Sequence, residues 1–314
     1  MKILAVDDDP IFLELLVSTL NEIGYSNVTA VMSAMEALHE IDTATDMFDC
    51  MLFDIQMPNK DGITLTKEVR QQSRLARTPI VMITSIQQRD AIDQAFAAGA
   101  NDYIAKPIQA AEISTRLNML ARISELNAKV ESHNSATAGS RIWKYSDPVP
   151  LEQRDNLLDY MALENYLLTI GRMRMSSVCA FGIELDYSSD LFASLPQDEF
   201  VDILNDVCAI LLDNIKQYRP LLSYAGSGRF VAVLPKPVDL DNSELAALVN
   251  AELGSLYSSM YLREDHVISV KIGKTRRPSL LNGFSPKALL AEVKTELVKT
   301  ISPNADPFLW KGVA

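Results

Sequence analysis

Two runs, FDCMLFDIQMP and RTPIVMITS, carry apolar residues one after another with no polar alternation. A strand written this way must be covered on both faces, as in a parallel sheet sandwiched between helices, and not in an antiparallel sheet with one wet side. The flanking segments agree. KILAVDD reads as a strand ending in acids, PIFLELLVSTLNEIG as an amphipathic helix stopped by Gly24, GITLTKEVRQQS and RDAIDQAFAAGA as helices, and DYIAKP as a closing strand. Alternation of this kind predicts a doubly wound α/β domain with a five-stranded parallel sheet, and its site lies at the carboxyl ends of the strands.

The helix that follows DYIAKP is long for such a domain. Ile113, Leu117, Leu120, Ile123, Leu126 and Val130 recur at steps of three and four. The stripe either packs on its own chain or pairs with a second copy. The polar, small-residue stretch ESHNSATAGS then reads as a linker. With 314 residues there is room for a second domain. The expected division is a first domain over 1–125, a helical extension and linker over 126–150, and a second domain over 151–314. In that second half SSVCAFGIELD and HVISVKIG read as strands, and YAGSGRFVAVLP reads as a glycine-turned hairpin. RDNLLDYMALENYLLTI, DEFVDILNDVCAILLDNIKQY, SELAALVNAELGSLYSSM and PKALLAEVKTELVKT read as helices, so the expected unit is α/β with a mixed or antiparallel sheet.

Charge narrows the function. A net charge of −12 argues against DNA as the main ligand, because phosphate contacts need clustered Lys and Arg. No segment resembles a membrane span, and the acidic start does not resemble a secretory signal. Cys50, Cys179 and Cys208, odd in number and widely spaced, read as buried thiols of a reducing cytoplasm.

At the predicted strand ends stand Asp7 and Asp8, Asp54, and Lys106 before Pro107. Converging carboxylates repel one another unless a hard cation such as Mg²⁺ holds them. Asp54 is then a candidate nucleophile, with the metal and Lys106 offsetting charge on a transferring phosphoryl group. The segments AVDDDP, MLFDIQMPNKDG, VMITS and GANDYIAKP resemble, in order and spacing, the receiver domain of bacterial two-component response regulators. The resemblance implies that Asp54 accepts phosphate from a histidine kinase or phosphotransfer protein. It implies that Asp7, Asp8, Asp54 and the backbone carbonyl of Gln56 hold Mg²⁺, and that Lys106 and Thr84 contact the phosphoryl group. Tyr103 would be the aromatic switch, and Pro107 would follow a cis bond. Asp102, Glu112, Arg116 and Arg122 read either as the opposite charges through which some receivers dimerise or as ordinary exposed helix charge.

The second half is similar, in hydrophobic pattern more than in motif, to the diguanylate cyclase domain named for its Gly-Gly-Asp-Glu-Phe signature. Gly226, Ser227, Gly228, Arg229 and Phe230 stand at the five signature positions. That resemblance implies metal-holding carboxylates, yet Gly228 and Arg229 replace both signature acids, and an arginine charge cannot be titrated away. Glu184, Asp186 and Asp202 are the acids that remain, while Ser189 and Phe192 replace the family's lysine and guanine-contacting asparagine. The expectation is lost cyclase activity, no cofactor in the second domain, and output through an unidentified downstream protein. The alternatives are a receptor for GTP or cyclic di-GMP without turnover, and a weak or atypical cyclase.

Overall fold

The computed structural model describes residues 1–85, 89–121, 143–149, 151–171, 177–257, 267–278 and 285–301. The chain divides into two compact units, Met1–Ile142 and Trp143–Ala314. Residues 143–149, expected in the linker, therefore belong to the second unit, because Trp143, Tyr145 and Val149 pack into its core.

The first unit runs β1 (Ile3–Val6), α1 (Pro10–Glu22), β2 (Val28–Val31), α2 (Ala34–Thr43), β3 (Cys50–Phe53), α3 (Gly62–Gln71), β4 (Ile80–Thr84), α4 (Arg89–Ala97) and β5 (Asp102–Ala105). A fifth helix, α5, follows, described over 110–121. The sheet is parallel throughout, in the order β2-β1-β3-β4-β5, as the unalternated strands require. Helix starts follow from short polar side chains. The Asp9 carboxylate accepts from the Ile11 and Phe12 amides, with Pro10 opening α1. Ser33 and Glu36 cap α2 reciprocally, and Asp61 accepts from Thr64 N to start α3. On one face of the sheet Leu13, Leu16 and Leu20 of α1 and Ile113, Leu117 and Leu120 of α5 cover Ile3, Cys50, Leu52 and Val81. The described part of the long stripe thus packs on its own chain. Ile123, Leu126 and Val130 lie outside the described residues.

In the second unit the elements are β6 (Leu157–Leu158), α6 (Tyr160–Thr169), β7 (Cys179–Leu185), α7 (Ser188–Ser194), α8 (Gln197–Ile215), β8 (Leu221–Tyr224), β9 (Arg229–Leu234), α9 (Asn242–Leu256), β10 (Val270–Ile272) and α10 (Pro286–Ile301). The sheet order is β10-β7-β9-β8-β6. It is mixed: β6 pairs parallel with β8, and the other ladders are antiparallel. The helix expected from residue 154 is shorter than its apolar pattern suggests. Leu157 and Leu158 join the sheet edge, and Asp159 caps α6 by accepting from Ala162 N at 2.7 Å. On β7, Phe181, Ile183 and Leu185 enter the core that also holds Phe200, Leu204 and Leu211 of α8. Each such fully buried side chain stabilises the unit by about 2–3 kcal/mol. The other face of β7 meets α10 at Gly182, where a Cβ would lie 3.2 Å from Leu297 and 3.3 Å from Val293. Glu184 follows Gly182 on that face, so strand alternation alone places the acid on the α10 side.

Candidate functional site

The rim of the first sheet is built by strand order. β1 and β3, distant in sequence, are neighbours, so their carboxyl ends bring Asp7 and Asp54 together. Both carboxylates are buried, at 2% and 4% exposure, while Asp8 is exposed beside them. Lys106 reaches in from the end of β5: its Nζ donates to Asp7 Oδ2 at 2.6 Å and lies 3.2 Å from Asp54 Oδ1. The ring of Phe12 covers the same ammonium. Asp54 Oδ2 accepts from the Gln56 amide at 2.7 Å, and Asp7 Oδ1 from the Asp9 amide at 3.0 Å. Burial pushes the Asp54 carboxyl above the ordinary aspartate range; Lys106 pulls it down and Asp7 pushes it up again.

Thr84 ends β4 fully buried, and its carbonyl accepts from the Lys106 amide at 2.9 Å. Tyr103 is turned inward at 4% exposure, and the Lys106–Pro107 bond is cis. Gly62 escaped the sequence reading as a site residue, although it sits in the quoted segment NKDG. A Cβ there would lie 2.0 Å from the carbonyl oxygen of Asp54, so only glycine lets α3 start under the acid-bearing loop. The two buried carboxylates share one ammonium, a charge balance that fits a hard divalent cation. Even so, among the described residues no three or more His, Cys, Asp or Glu side chains are grouped so that they could hold a metal ion by themselves.

One of the charges expected on a dimer face, Asp102, is not on the surface. Asp102 is buried at 2% exposure, and Arg116 of α5 closes on it within the same chain while also bonding Glu112 at 3.1 Å. A buried carboxylate needs its counter-ion at hand, so this pair is satisfied internally and Asp102 is not an exposed charge. Arg122 lies outside the described residues.

The second constellation surrounds the 226–230 hairpin. Gly226, Ser227 and Gly228 all take positive φ (82°, 56° and 70°), and the turn closes with Ala225 N donating to Arg229 O at 2.8 Å. Phe230 is fully buried and meets the Tyr224 ring at 5.1 Å, tilted by 60°, and the Tyr224 hydroxyl accepts from Gly228 N. Arg229 faces Glu184 across the β7–β9 ladder and bonds it at 3.2 Å. On the other side of Glu184, Lys271 of β10 is its register partner and pairs with Asp186 at 2.6 Å. Burial pushes the Glu184 carboxyl up and Arg229 pulls it down; its Oε2 is buried with no hydrogen-bond partner among the described residues. Lys294 of α10 lies close enough for Arg229 to help lower its pKa, burial being the larger cause. Glu184 of β7 and Asp186 just after it thus face cations supplied by the chain itself.

The turn is also closed over by the protein. Tyr145 donates its hydroxyl to Ser227 O at 2.9 Å and shares a hydrogen bond with Ser188 Oγ at 2.7 Å, while Ser227 N donates to Tyr145 O. A Cβ at Gly226 would lie 2.2 Å from Ser146 O, and one at Gly228 2.2 Å from Ser188 Oγ. Ser189 is exposed, Phe192 is a core residue against Tyr145 and Phe200, and Asp202 is exposed on α8, close enough to Tyr257 to help raise its pKa. Lys271 was legible in SVKIG by alternation. Tyr145 was not, because its partners stand 43 and 82 residues away.

Residues 3–118 match the response regulator receiver domain family. The transcriptional regulatory protein AruR of Pseudomonas aeruginosa is 30% identical over 215 residues, covering 65% of this chain and 84% of its own. The chemotaxis protein CheY1 of Helicobacter pylori is 32% identical over 120 residues, 38% of this chain and 96% of its own. Among solved structures, Vibrio cholerae chemotaxis protein CheY4 is 31% identical with a TM-score of 0.36, covering 38% of this chain and 97% of its own. No helix among the described residues is long and apolar enough to cross a membrane. The matched family and the coverage of AruR and CheY1 lead to one assignment: the chain belongs to the response regulators of two-component systems, with a receiver domain in its first unit.

Proposed function

We propose that this response regulator is switched by phosphorylation at Asp54 and that its second unit is a non-catalytic, diguanylate cyclase-like module whose output is binding to another protein. For the receiver, the supporting observation is Asp54 buried beside Asp7 under the Lys106 ammonium. Asp7, Asp8, Asp54 and the carbonyl of Gln56 would hold Mg²⁺, which when bound neutralises charge on the phosphoryl oxygens. Asp54 supplies the attacking oxygen, Lys106 moves its charge onto the transferred group, and the Thr84 hydroxyl donates to it. The covalent phosphate acts by favouring one of two pre-existing conformations, with the inward Tyr103 ring among the groups that differ between them.

For the second unit, the observation that carries the reading is the Arg229–Glu184 ion pair at the hairpin. A guanidinium stands where a cyclase needs a carboxylate and a divalent cation, and Lys271 holds the remaining acid, Asp186. Coulomb repulsion from these fixed charges opposes a metal-bound triphosphate. The space beside Gly226 and Gly228 is filled by Ser146 and Ser188. The name of AruR describes that protein as a transcriptional regulator; here the net charge of −12 favours a protein partner over DNA.

The test has two arms. The full chain, incubated with Mg²⁺ and an acyl phosphate, takes up one phosphoryl group that Asp54→Asn abolishes, and captures a partner from its native cytoplasm in one state of Asp54 only. Separately, it neither converts GTP to cyclic di-GMP nor binds either nucleotide in calorimetry. Turnover that depends on Glu184, stoichiometric nucleotide binding, or a specific shift of duplex DNA would overturn the second-unit reading while leaving the receiver intact.

A further inference from the structure

Three groups on the described residues surround the Lys106 ammonium, and one of them carries no charge. Asp7 Oδ2 lies at 2.6 Å, Asp54 Oδ1 at 3.2 Å, and the centroid of the Phe12 ring at 3.9 Å. The ring is fixed from behind. Phe12 sits in the first turn of α1, where its own amide donates to the Asp9 cap and Pro10 holds the entry φ, and its side chain packs on the core shared by α1 and α5.

We propose that Phe12 is a positioning residue for Lys106, holding the ammonium at the rim through the ring face while phosphoryl transfer takes place; this rests on the reading of Asp54 as phosphoacceptor. The physical reason is the kind of partner each group is. Asp7 and Asp54 are the carboxylates that would also hold a divalent cation, and Asp54 is consumed by the reaction. Neither therefore holds Lys106 in one fixed place while the site is working: a bound cation draws on the same carboxylate oxygens, and the charge on Asp54 moves outward onto the phosphoryl oxygens. An aromatic face attracts a cation through its quadrupole yet has no net charge. It can anchor Lys106 without competing for the metal and without repelling an incoming phosphate dianion, as a third carboxylate would. The ring also shields the ammonium, whose side chain is 16% exposed, and so strengthens its pull on the phosphoryl oxygens.

In the step itself an Asp54 carboxylate oxygen forms a bond to phosphorus as the bond from phosphorus to the acyl oxygen of the donor breaks. The leaving group departs as a carboxylate with the bonding pair, and no proton moves. Lys106 gains interaction as charge shifts on the phosphoryl oxygens, so a less ordered Lys106 slows the step rather than merely weakening binding.

The experiment compares the wild-type full chain with Phe12→Leu, Phe12→Tyr and Phe12→Trp. Two readouts are the initial rate of Asp54 labelling by acetyl phosphate and Mg²⁺, and the proton shifts of the Lys106 ε-methylene in lysine-labelled protein without metal. Phe12→Leu keeps an apolar side chain but lacks the π face; it should slow labelling roughly three- to tenfold, while Tyr and Trp stay within about twofold of wild type. The ε-protons should be shifted upfield by the ring in wild type, Tyr and Trp, and lose that shift in Leu. A Leu variant that labels at the wild-type rate overturns the proposal, as does a wild-type Lys106 with no ring shift. Should Leu lose folding, a Tyr or Trp variant that labels roughly three- to tenfold more slowly than wild type overturns it equally. If wild type takes up no phosphoryl group at all, the Asp54 reading fails, and the ring shift then decides the contact.

Discussion

Removing the hairpin cation tests whether the chain neutralises its own acids. In Arg229→Ala, Glu184 keeps its place on β7 but loses the guanidinium 3.2 Å away. Breaking a fully buried pair by deleting one partner costs about 3–5 kcal/mol, because the remaining charge stays desolvated. Here the side chains are 15% and 25% exposed and Lys271 stands opposite Glu184 in register, so the expected cost falls to about 2 kcal/mol. For a unit of this size that lowers the melting temperature by about 4–8 °C at pH 7. The sign with pH follows from the carboxyl. Burial already holds the Glu184 pKa above its ordinary value, and loss of Arg229 raises it further. A group whose folded pKa is raised in this way penalises the fold above that pKa and not below the unfolded value. The deficit of Arg229→Ala is therefore largest at neutral pH and shrinks as the pH falls through the raised pKa toward the ordinary glutamate range. Adding Glu184→Gln should restore most of the loss at pH 7. Thermal unfolding of the single and double variants at pH 7 and pH 4 measures all of this. A pH-independent deficit, or a double variant no better than the single, would refute the ion-pair argument.

Other consequences are as direct. Tyr145→Phe keeps the ring against Phe192 but loses the hydroxyl bonds to Ser188 and Ser227; it should cost about 1–2 kcal/mol and speed amide exchange at residues 225–229. Gly62→Ala forces a Cβ to within 2.0 Å of Asp54 O; a loss of about 2–3 kcal/mol by denaturant titration, with slower Asp54 labelling, is expected. Arg116→Ala leaves the Asp102 carboxylate buried and should destabilise the receiver by about 3 kcal/mol. If Asp102 instead paired across a dimer, the same change would act mainly on the sedimentation coefficient and little on a dilute-solution melt.

Periodicity and end residues were enough to write down the receiver. Unalternated strands require a covered parallel sheet, and Gly24 marks a helix end by chemistry confined to a few neighbours. Side-chain alternation likewise put Glu184 on one face of β7. What sequence reading misplaced depended on distant partners. Asp102 looked like a surface charge until Arg116 closed on it, and residues 154–158 looked helical until Leu157 found an edge strand. Residues 143–149 looked like linker until Trp143 and Tyr145 found a core to fill.

The sequence by itself determined which groups are available: an acid-rich rim with one lysine, and a glycine turn whose signature acids are replaced by Gly228 and Arg229. Tertiary structure decided what each group faces. Strand order set Asp7 against Asp54 beneath Lys106 and the Phe12 ring, antiparallel register set Arg229 and Lys271 on either side of Glu184, and the fold laid Tyr145 and Ser146 over the turn. Local patterns carry backbone preference, whereas charge compensation depends on through-space distance, and only the folded chain fixes that distance.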